Sequence, residues 1–257
     1  MLNVLFSAHP TQWPLYEVPL NAAFSKAGLS VDLSQSHAPE TVDYIIFAPN
    51  GPVTDFAPYT NCKALLSLWA GVETIVNNET LTQPLLRMVD HGLTQGMVEW
   101  VTGHTLRHHL GMDTHIFGQD GIWRNDIFPP MAQDRPVTIL GLGALGAACG
   151  QALTALGFPV TGWSRTAKDV TGIACLYGAE GFKAALSDAQ IVILLLPDTP
   201  ATENALNAEA LALLAPGAFI INPGRGPLID DTALLAALDS GQVGHATLDV
   251  FRTEPLP

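Results

Sequence analysis

Three glycines, Gly141, Gly143 and Gly146, stand in the run VTILGLGALG as a G-x-G-x-x-G pattern that follows an apolar, strand-like stretch and opens a helical one. That placement gives each a physical task. The first permits a tight turn, the second lets backbone approach a pyrophosphate, and the third allows a helix to pack closely on a strand. The helix start at Ala144 and Leu145 would aim N–H groups and partial positive charge at the phosphates. Taken alone the pattern is not specific, since glycine-rich turns also occur in methyltransferases and in loops that bind nothing. The next strand narrows it. About twenty residues on, where an enzyme using NAD places Asp or Glu against the ribose 2′-hydroxyl, the chain has Ser164, Arg165 and Thr166, with Lys168 behind them. A guanidinium and two hydroxyls suit a 2′-phosphate, which accepts bidentate hydrogen bonds; a surface Arg in a turn is the alternative. The expected coenzyme is NADP(H) in preference to NAD(H).

Other reactive residue types point away from metals and disulfides. His104, His108 and His109 recur at helical spacing, but no acidic residue accompanies them in a metal-site pattern, so a solvated or interface face is expected and no metal. Cys62, Cys149 and Cys175 are odd in number, far apart and without a C-x-x-C pair, which argues against a disulfide framework and fits a reducing compartment. With 11 Lys and Arg against 24 Asp and Glu, the chain carries a formal charge of -13 and would be repelled by phosphate backbones and anionic lipid. Neither nucleic acid nor membrane is an expected partner, and any bound anion must be held by local donors. The opening MLNVLFSAHP has no basic n-region, and the longest apolar run, IVILLLP, is far too short to span a bilayer, so a cytoplasmic protein is expected.

The elements that must position these residues alternate. VLFSA, VDL, YIIFAP and ALLSLWA read as short strands, with a helix beginning around Pro14, which is the rhythm of a parallel sheet covered by helices. After the loop-like DGIWRNDIFPPMAQDRP, a second series runs VTILG, VTGWS, IVILLLP, FIINPG and ATLDV with helices between. Its strands are almost wholly apolar, as when both faces are covered. VEWVTGHTLRHHLGM lies between the series as a long helix without one clean apolar stripe, suited to burial between domains or subunits.

The stretch FIINPGRGPLIDDTALLAALDSGQVGHATLDVFRTEPLP resembles the signature of the D-isomer-specific 2-hydroxyacid dehydrogenases: Asn, two small residues, Arg-Gly, an acidic helix start, then Leu-Asp-Val-Phe and Glu-Pro-Leu. With GLGALG, WSRT and LLLPDTPAT it covers most of residues 100 to 257, and LWAGVE is similar to the family's substrate loop. WSRT, LAALDSG and FRTEPLP are most similar to the glyoxylate/hydroxypyruvate reductase branch. The resemblance implies an α/β protein of two doubly wound parallel-sheet domains: a flavodoxin-like substrate domain over 1–96, normally completed by a C-terminal helix, and a Rossmann nucleotide-binding domain over 97–257, with the reaction in the cleft between them.

It also implies roles. Arg225 would hold the substrate carboxylate and polarise its keto oxygen, while the Trp69 to Glu73 loop, chiefly the backbone of Gly71 and Val72, would take the other side of the carboxylate. Trp69 and Trp100 would line the pocket or pack in the core. Leu196, Pro197, Pro223 and Gly224 would border the coenzyme, and Asp249 would accept from its carboxamide. Glu254 would raise the pKa of a histidine that acts as general acid. In the family that histidine follows the Glu-Pro-Leu-Pro segment, at a position beyond Pro257, so it is absent from this chain. His245 begins the strand that ends at Asp249, about 13 Å away at 3.3 Å per residue, and neither His91 nor His9 has a matching acidic neighbour. The expected activity is NADPH-dependent reduction of a small 2-keto acid, glyoxylate or hydroxypyruvate, by a homodimer whose dimerisation segment is the long helix after Gln95. The alternatives are a coenzyme-sensing, corepressor-like protein and a truncated form that binds coenzyme without turnover.

Overall fold

The computed structural model describes residues 1–126 and 128–256, and the chain falls into two units, Met1–Asp90 and His91–Pro257. The division lies before the whole of the long helix, six residues ahead of the expected 96/97 boundary. The Pro-rich loop thought to open the second series lies inside the second unit.

The first unit is built from β1 (Leu2–Ser7), α1 (Trp13–Lys26), β2 (Val31–Ser34), β3 (Tyr44–Phe47), β4 (Ala64–Ser67) and β5 (Leu85–Leu86). All pairs are parallel, in the order β2-β1-β3-β4-β5. This is the flavodoxin-like order. Two apolar layers cover it. Leu5, Ile45, Phe47, Phe56 and Leu65 are buried on one side, and Val4, Phe6 and Ile46 on the other, where Trp13 and Tyr16 of α1 lie against Phe6 at ring distances of 5.3 and 5.6 Å.

The second unit continues with α2 (His91–His109), α3 (Met112–Phe117), β6 (Val137–Leu140), α4 (Ala144–Ala155), β7 (Val160–Ser164), β8 (Ala174–Tyr177) and α5 (Gly178–Leu186). It closes with β9 (Ile191–Leu194), α6 (Ala208–Ala212), β10 (Ala218–Asn222), α7 (Asp231–Ser240) and β11 (Val243–Leu248). Its strand order, β11-β10-β9-β6-β7-β8, is the parallel Rossmann order, reversing between β6 and β9. Every residue of β6 and β9 is buried, which explains why their sequences are almost wholly apolar; the one polar residue, Thr138, donates its hydroxyl to the Ala185 carbonyl at 2.6 Å. Helix α2 belongs to this core through Met97, Val98 and Val101, packing on α4 and β10. Its partners on more than one side account for the missing apolar stripe. Helix α7 shows how the local sequence sets an element's ends: the Asp230 carboxylate accepts from the Ala233 N–H at its start, and Gly241, at φ +78°, turns the chain out.

The sequence reading captured the two-sheet α/β architecture and most strands. It omitted β5 and β8, edge strands of two and four residues; β8 is apolar in sequence, Ala174–Tyr177, but too short to mark itself as a strand, and its residues are exposed or half-buried throughout.

Candidate active site

In the second unit the predicted residues gather at the C-terminal ends of parallel strands, where such sheets bind ligands. The β6 turn comes first. Gly141 has φ +111°, a conformation L side chains rarely adopt, and a Cβ there would lie 2.5 Å from the Leu195 carbonyl oxygen. A Cβ on Gly146 would fall 1.8 Å from the Gly141 oxygen, so α4 can start this close to β6 only without a side chain. Gly143 is different: it is exposed, and nothing lies within 4 Å of where its Cβ would be. Beside it begins α4, with Ala144 exposed and Leu145 half-buried. The first N–H groups of a helix have no intrahelical acceptor, and among the described residues those of Ala144 and Leu145 have no other acceptor. The cradle fits a dinucleotide pyrophosphate.

At the end of β7, Arg165, Thr166 and Lys168 are exposed and Arg165 forms no ion pair among the described residues. Ser164 is buried, and its hydroxyl donates to the Thr166 carbonyl at 2.8 Å, which holds the turn. Leu196 is buried after β9 and Pro197 exposed, its carbonyl held by the Thr202 hydroxyl at 2.7 Å.

Beyond β10 the chain makes a braced loop. Asn222, 1 % exposed, accepts from the Gly224 N–H at 3.0 Å and donates to the Arg225 carbonyl at 2.9 Å, while its own carbonyl accepts from the Asp249 N–H at 3.1 Å. The buried side-chain amide therefore sets the loop that carries Arg225, and the main-chain carbonyl of the same residue ties it to the end of β11. Pro223 and Gly224 are buried, and a Cβ on Gly224 would approach the Leu194 oxygen to 2.8 Å. Arg225 is half-buried, with a guanidinium nitrogen donating to the Gly224 carbonyl at 2.7 Å. Gly226 allows the next segment to pass: its Cβ would sit 2.0 Å from the Phe251 carbonyl carbon.

Asp249 and Glu254 are exposed, and a Glu254 oxygen accepts from the Phe251 N–H at 2.8 Å. Arg252 anchors this last stretch, donating to Glu203 at 3.1 Å and to the Ile229 carbonyl at 2.9 Å. Sequence reasoning named neither Asn222 nor Arg252. The spacing of Asn222 from Arg225 was the available signal for the first; nothing local signals the second, whose partners are distant in the chain.

In the first unit, the Ser67 hydroxyl accepts from the Trp69 N–H at 3.1 Å and donates to the Trp69 carbonyl at 2.9 Å, fixing the start of the 69–73 loop. Trp69 is 42 % exposed, and Val72 packs its side chain against the Phe47 and Phe56 core. Among the described residues the N–H groups of Gly71 and Val72 donate to nothing. Trp100 packs in the second unit's core with its ring 4.2 Å from that of His104.

The histidines of α2 correct the sequence reading. His108 and His109 are 4 % and 6 % exposed, so the expected solvated or interface face does not exist there. Burial, with His245 and Arg107 adding to it, pushes the His108 pKa down to about 4.

The comparisons with known proteins fall on this same geometry. The model of the D-isomer specific 2-hydroxyacid dehydrogenase NAD binding domain matches residues 102–257. The chain belongs to that family. It is 38% identical, over 94% of its own length and 82% of the relative's, to glyoxylate/hydroxypyruvate reductase A of Serratia proteamaculans. Among solved structures, a D-isomer specific 2-hydroxyacid dehydrogenase from Xanthobacter autotrophicus, in complex with NADPH and MES, superposes over 100% of this chain and 82% of that one, with a TM-score of 0.90 and 38% identity. An NADPH-dependent glyoxylate/hydroxypyruvate reductase from Sinorhizobium meliloti, in complex with NADP and sulfate, does so over the same shares with a TM-score of 0.84 and 32% identity. This 2-hydroxyacid dehydrogenase is thus an oxidoreductase with a Rossmann domain for a nicotinamide dinucleotide. No helix among the described residues is long and apolar enough to cross a membrane.

Proposed function

We propose that the chain reduces glyoxylate or hydroxypyruvate with NADPH. The observation that carries the reading is the arginine pair on one edge of the second unit's sheet: Arg165 after β7, exposed and without an acidic neighbour in its turn, and Arg225 on the Asn222-braced loop after β10. Two of the most similar proteins are named for this reaction, and both structures described above hold the phosphorylated coenzyme.

The pyrophosphate is assigned to the Gly141–Gly146 turn and the N–H groups at Ala144 and Leu145. The 2′-phosphate goes to Arg165, Thr166 and Lys168, with Ser164 shaping the turn. Leu196, Pro197, Pro223 and Gly224 border the nicotinamide half, and Asp249 accepts from its carboxamide. When bound, the reduced nicotinamide supplies a hydride. Arg225 holds the keto acid's carboxylate and stabilises negative charge growing on the keto oxygen, a task for a fixed fork of donors. The Gly71 and Val72 N–H groups, beside Trp69, are assigned to the same carboxylate. Glu254 is the carboxylate we assign as partner to the family's proton-donating histidine.

We also assign the protein to the cytoplasm, in keeping with three free cysteines, and to a homodimer. Support for the dimer comes from the apolar side chains exposed in and after α3, including Phe117, Trp123 and Phe128 at 74, 88 and 84 %.

The test is glyoxylate-dependent oxidation of NADPH and of NADH, with Arg225→Gln alongside. Turnover should favour NADPH, and the variant should lose about 10²- to 10³-fold in kcat/KM with coenzyme affinity nearly unchanged. Coenzyme binding with no keto-acid-dependent oxidation, even in a chain carrying the histidine-bearing segment, would favour a sensor.

A further inference from the structure

Three side chains from three elements of the second unit meet away from the coenzyme and substrate loops. His108 lies near the end of α2, Asp113 in the first turn of α3 and His245 in β11, and one ligand atom from each lies within 4.8 Å of the others. We propose that they form a binding site for a single divalent transition-metal ion of the zinc type.

The chain is built to bring them together. Gly111, in the left-handed conformation at φ +63° and ψ +31°, breaks α2 and starts α3, returning Asp113 alongside the helix it has just left. Arg107 fixes it there, its Nε donating to Asp113 Oδ1 at 2.6 Å. That leaves Oδ2, which lies 3.9 Å from His245 Nε2. On β11, His245 and Thr247 share a face by the strand's two-residue period, and the His108 ring meets both, at 5.0 Å from the His245 ring centroid and with Nε2 2.8 Å from the Thr247 hydroxyl. Stacking on Phe219 at 4.7 Å holds the His108 ring in place.

Two imidazoles and one carboxylate form a donor set for zinc, nickel or copper rather than for calcium or magnesium, which prefer all-oxygen shells. Bonds of about 2.0–2.1 Å in a tetrahedron put donors roughly 3.4 Å apart, so the present donors must close in by an ångström or so. Asp113 and His245 can do this, being partly exposed, with side chains 25 % and 43 % accessible. His245 Nε2 faces Asp113 Oδ2 at 3.9 Å, beyond hydrogen-bond distance, so coordination there displaces no hydrogen bond, at the cost of placing the ring proton on an enclosed Nδ1 that has no acceptor. If His108 coordinates through Nε2, its bond to Thr247 is exchanged for the metal. Arg107 opposes a cation, whereas the charge of -13 over the whole chain favours one.

The test is a titration of the chelator-treated full chain with Co²⁺, followed by its tetrahedral d–d absorption, and with Zn²⁺ by calorimetry. One ion per chain is expected, accompanied by a rise in Tm. Asp113→Asn and His245→Gln should each weaken binding by more than about tenfold, Asp113→Glu should restore part of it, and His37→Gln, in the first unit, should change nothing. Because the histidine and carboxylate variants touch neither arginine loop, coenzyme affinity should be unchanged in all of them. An ion-pair cluster only, shown by no stoichiometric uptake or by uptake undiminished in both Asp113→Asn and His245→Gln, overturns the proposal and leaves the reductase reading standing.

Discussion

Both sheets reverse their strand order beside their first strand, between β1 and β3 in the first unit and between β6 and β9 in the second, and each therefore has the kind of crevice where doubly wound proteins bind ligands. Only one is furnished for an anion. In the first unit the chain leaving β3 folds over the end of β1. The Ala48 N–H donates to the Ser7 carbonyl at 2.9 Å, the Val53 N–H to the Ser7 hydroxyl at 3.2 Å and the His9 N–H to Asn50 at 3.3 Å. Gly51 is pressed so close that a Cβ would lie 2.4 Å from the Ser7 oxygen. Pro10 and Pro14 stand where helix N–H donors would otherwise point outward. In the second unit the equivalent turn carries its glycines against its own backbone at 141 and 146 and leaves 143 open. Topology supplies a crevice twice; the residues of one turn decide whether it holds a phosphate or a loop.

Substitution at the two kinds of glycine separates these roles, and the largest effect is expected at Gly146. Valine there places Cβ on top of the Gly141 oxygen, which no rotamer relieves, so the turn must open. A stability loss of about 3 kcal/mol or more is expected, together with loss of measurable NADPH binding, read by urea unfolding and by coenzyme fluorescence titration. Gly51→Ala is the counterpart in the first unit. Its Cβ also meets backbone, but in a crevice filled by the protein itself, so about 1–3 kcal/mol of stability should go while NADPH affinity holds within a factor of two. Equal damage to coenzyme binding from both variants would erase the distinction between the crevices.

The contrast also explains what could be read in advance. The glycine spacing, the apolar strands β6 and β9 and the absence of an acid after β7 are local patterns, each with one physical reason behind it. The Ser164 hydroxyl suits a phosphate or a turn equally by residue type, and its bond to the Thr166 carbonyl at 2.8 Å becomes visible only in the fold. Asn222 acts through partners at 224, 225 and 249, the last reached only once β10 and β11 pair. The meeting of His108 with His245 and Thr247 depends on α2 packing over β10; His108 and Thr247 are 139 residues apart, and their contact leaves no mark in the periodicity of either segment.

Coenzyme choice is tested most directly at Arg165. With the Ser164 proton committed to the Thr166 carbonyl, discrimination between the phosphorylated and unphosphorylated coenzymes rests on Arg165, assisted by Thr166 and Lys168, all exposed. Arg165→Gln removes a charged fork and leaves the Gly141–Gly146 cradle intact. The Kd for NADPH should rise about 10- to 100-fold, the worth of a charge-assisted pair at an accessible site, and that for NADH by much less. Because an exposed pair is screened, raising the salt concentration should weaken NADPH binding to the parent protein more than to the variant. A parallel loss of both coenzymes would mean that Arg165 supports the turn rather than the phosphate, leaving the second unit's crevice selective for a dinucleotide but indifferent to its 2′-group.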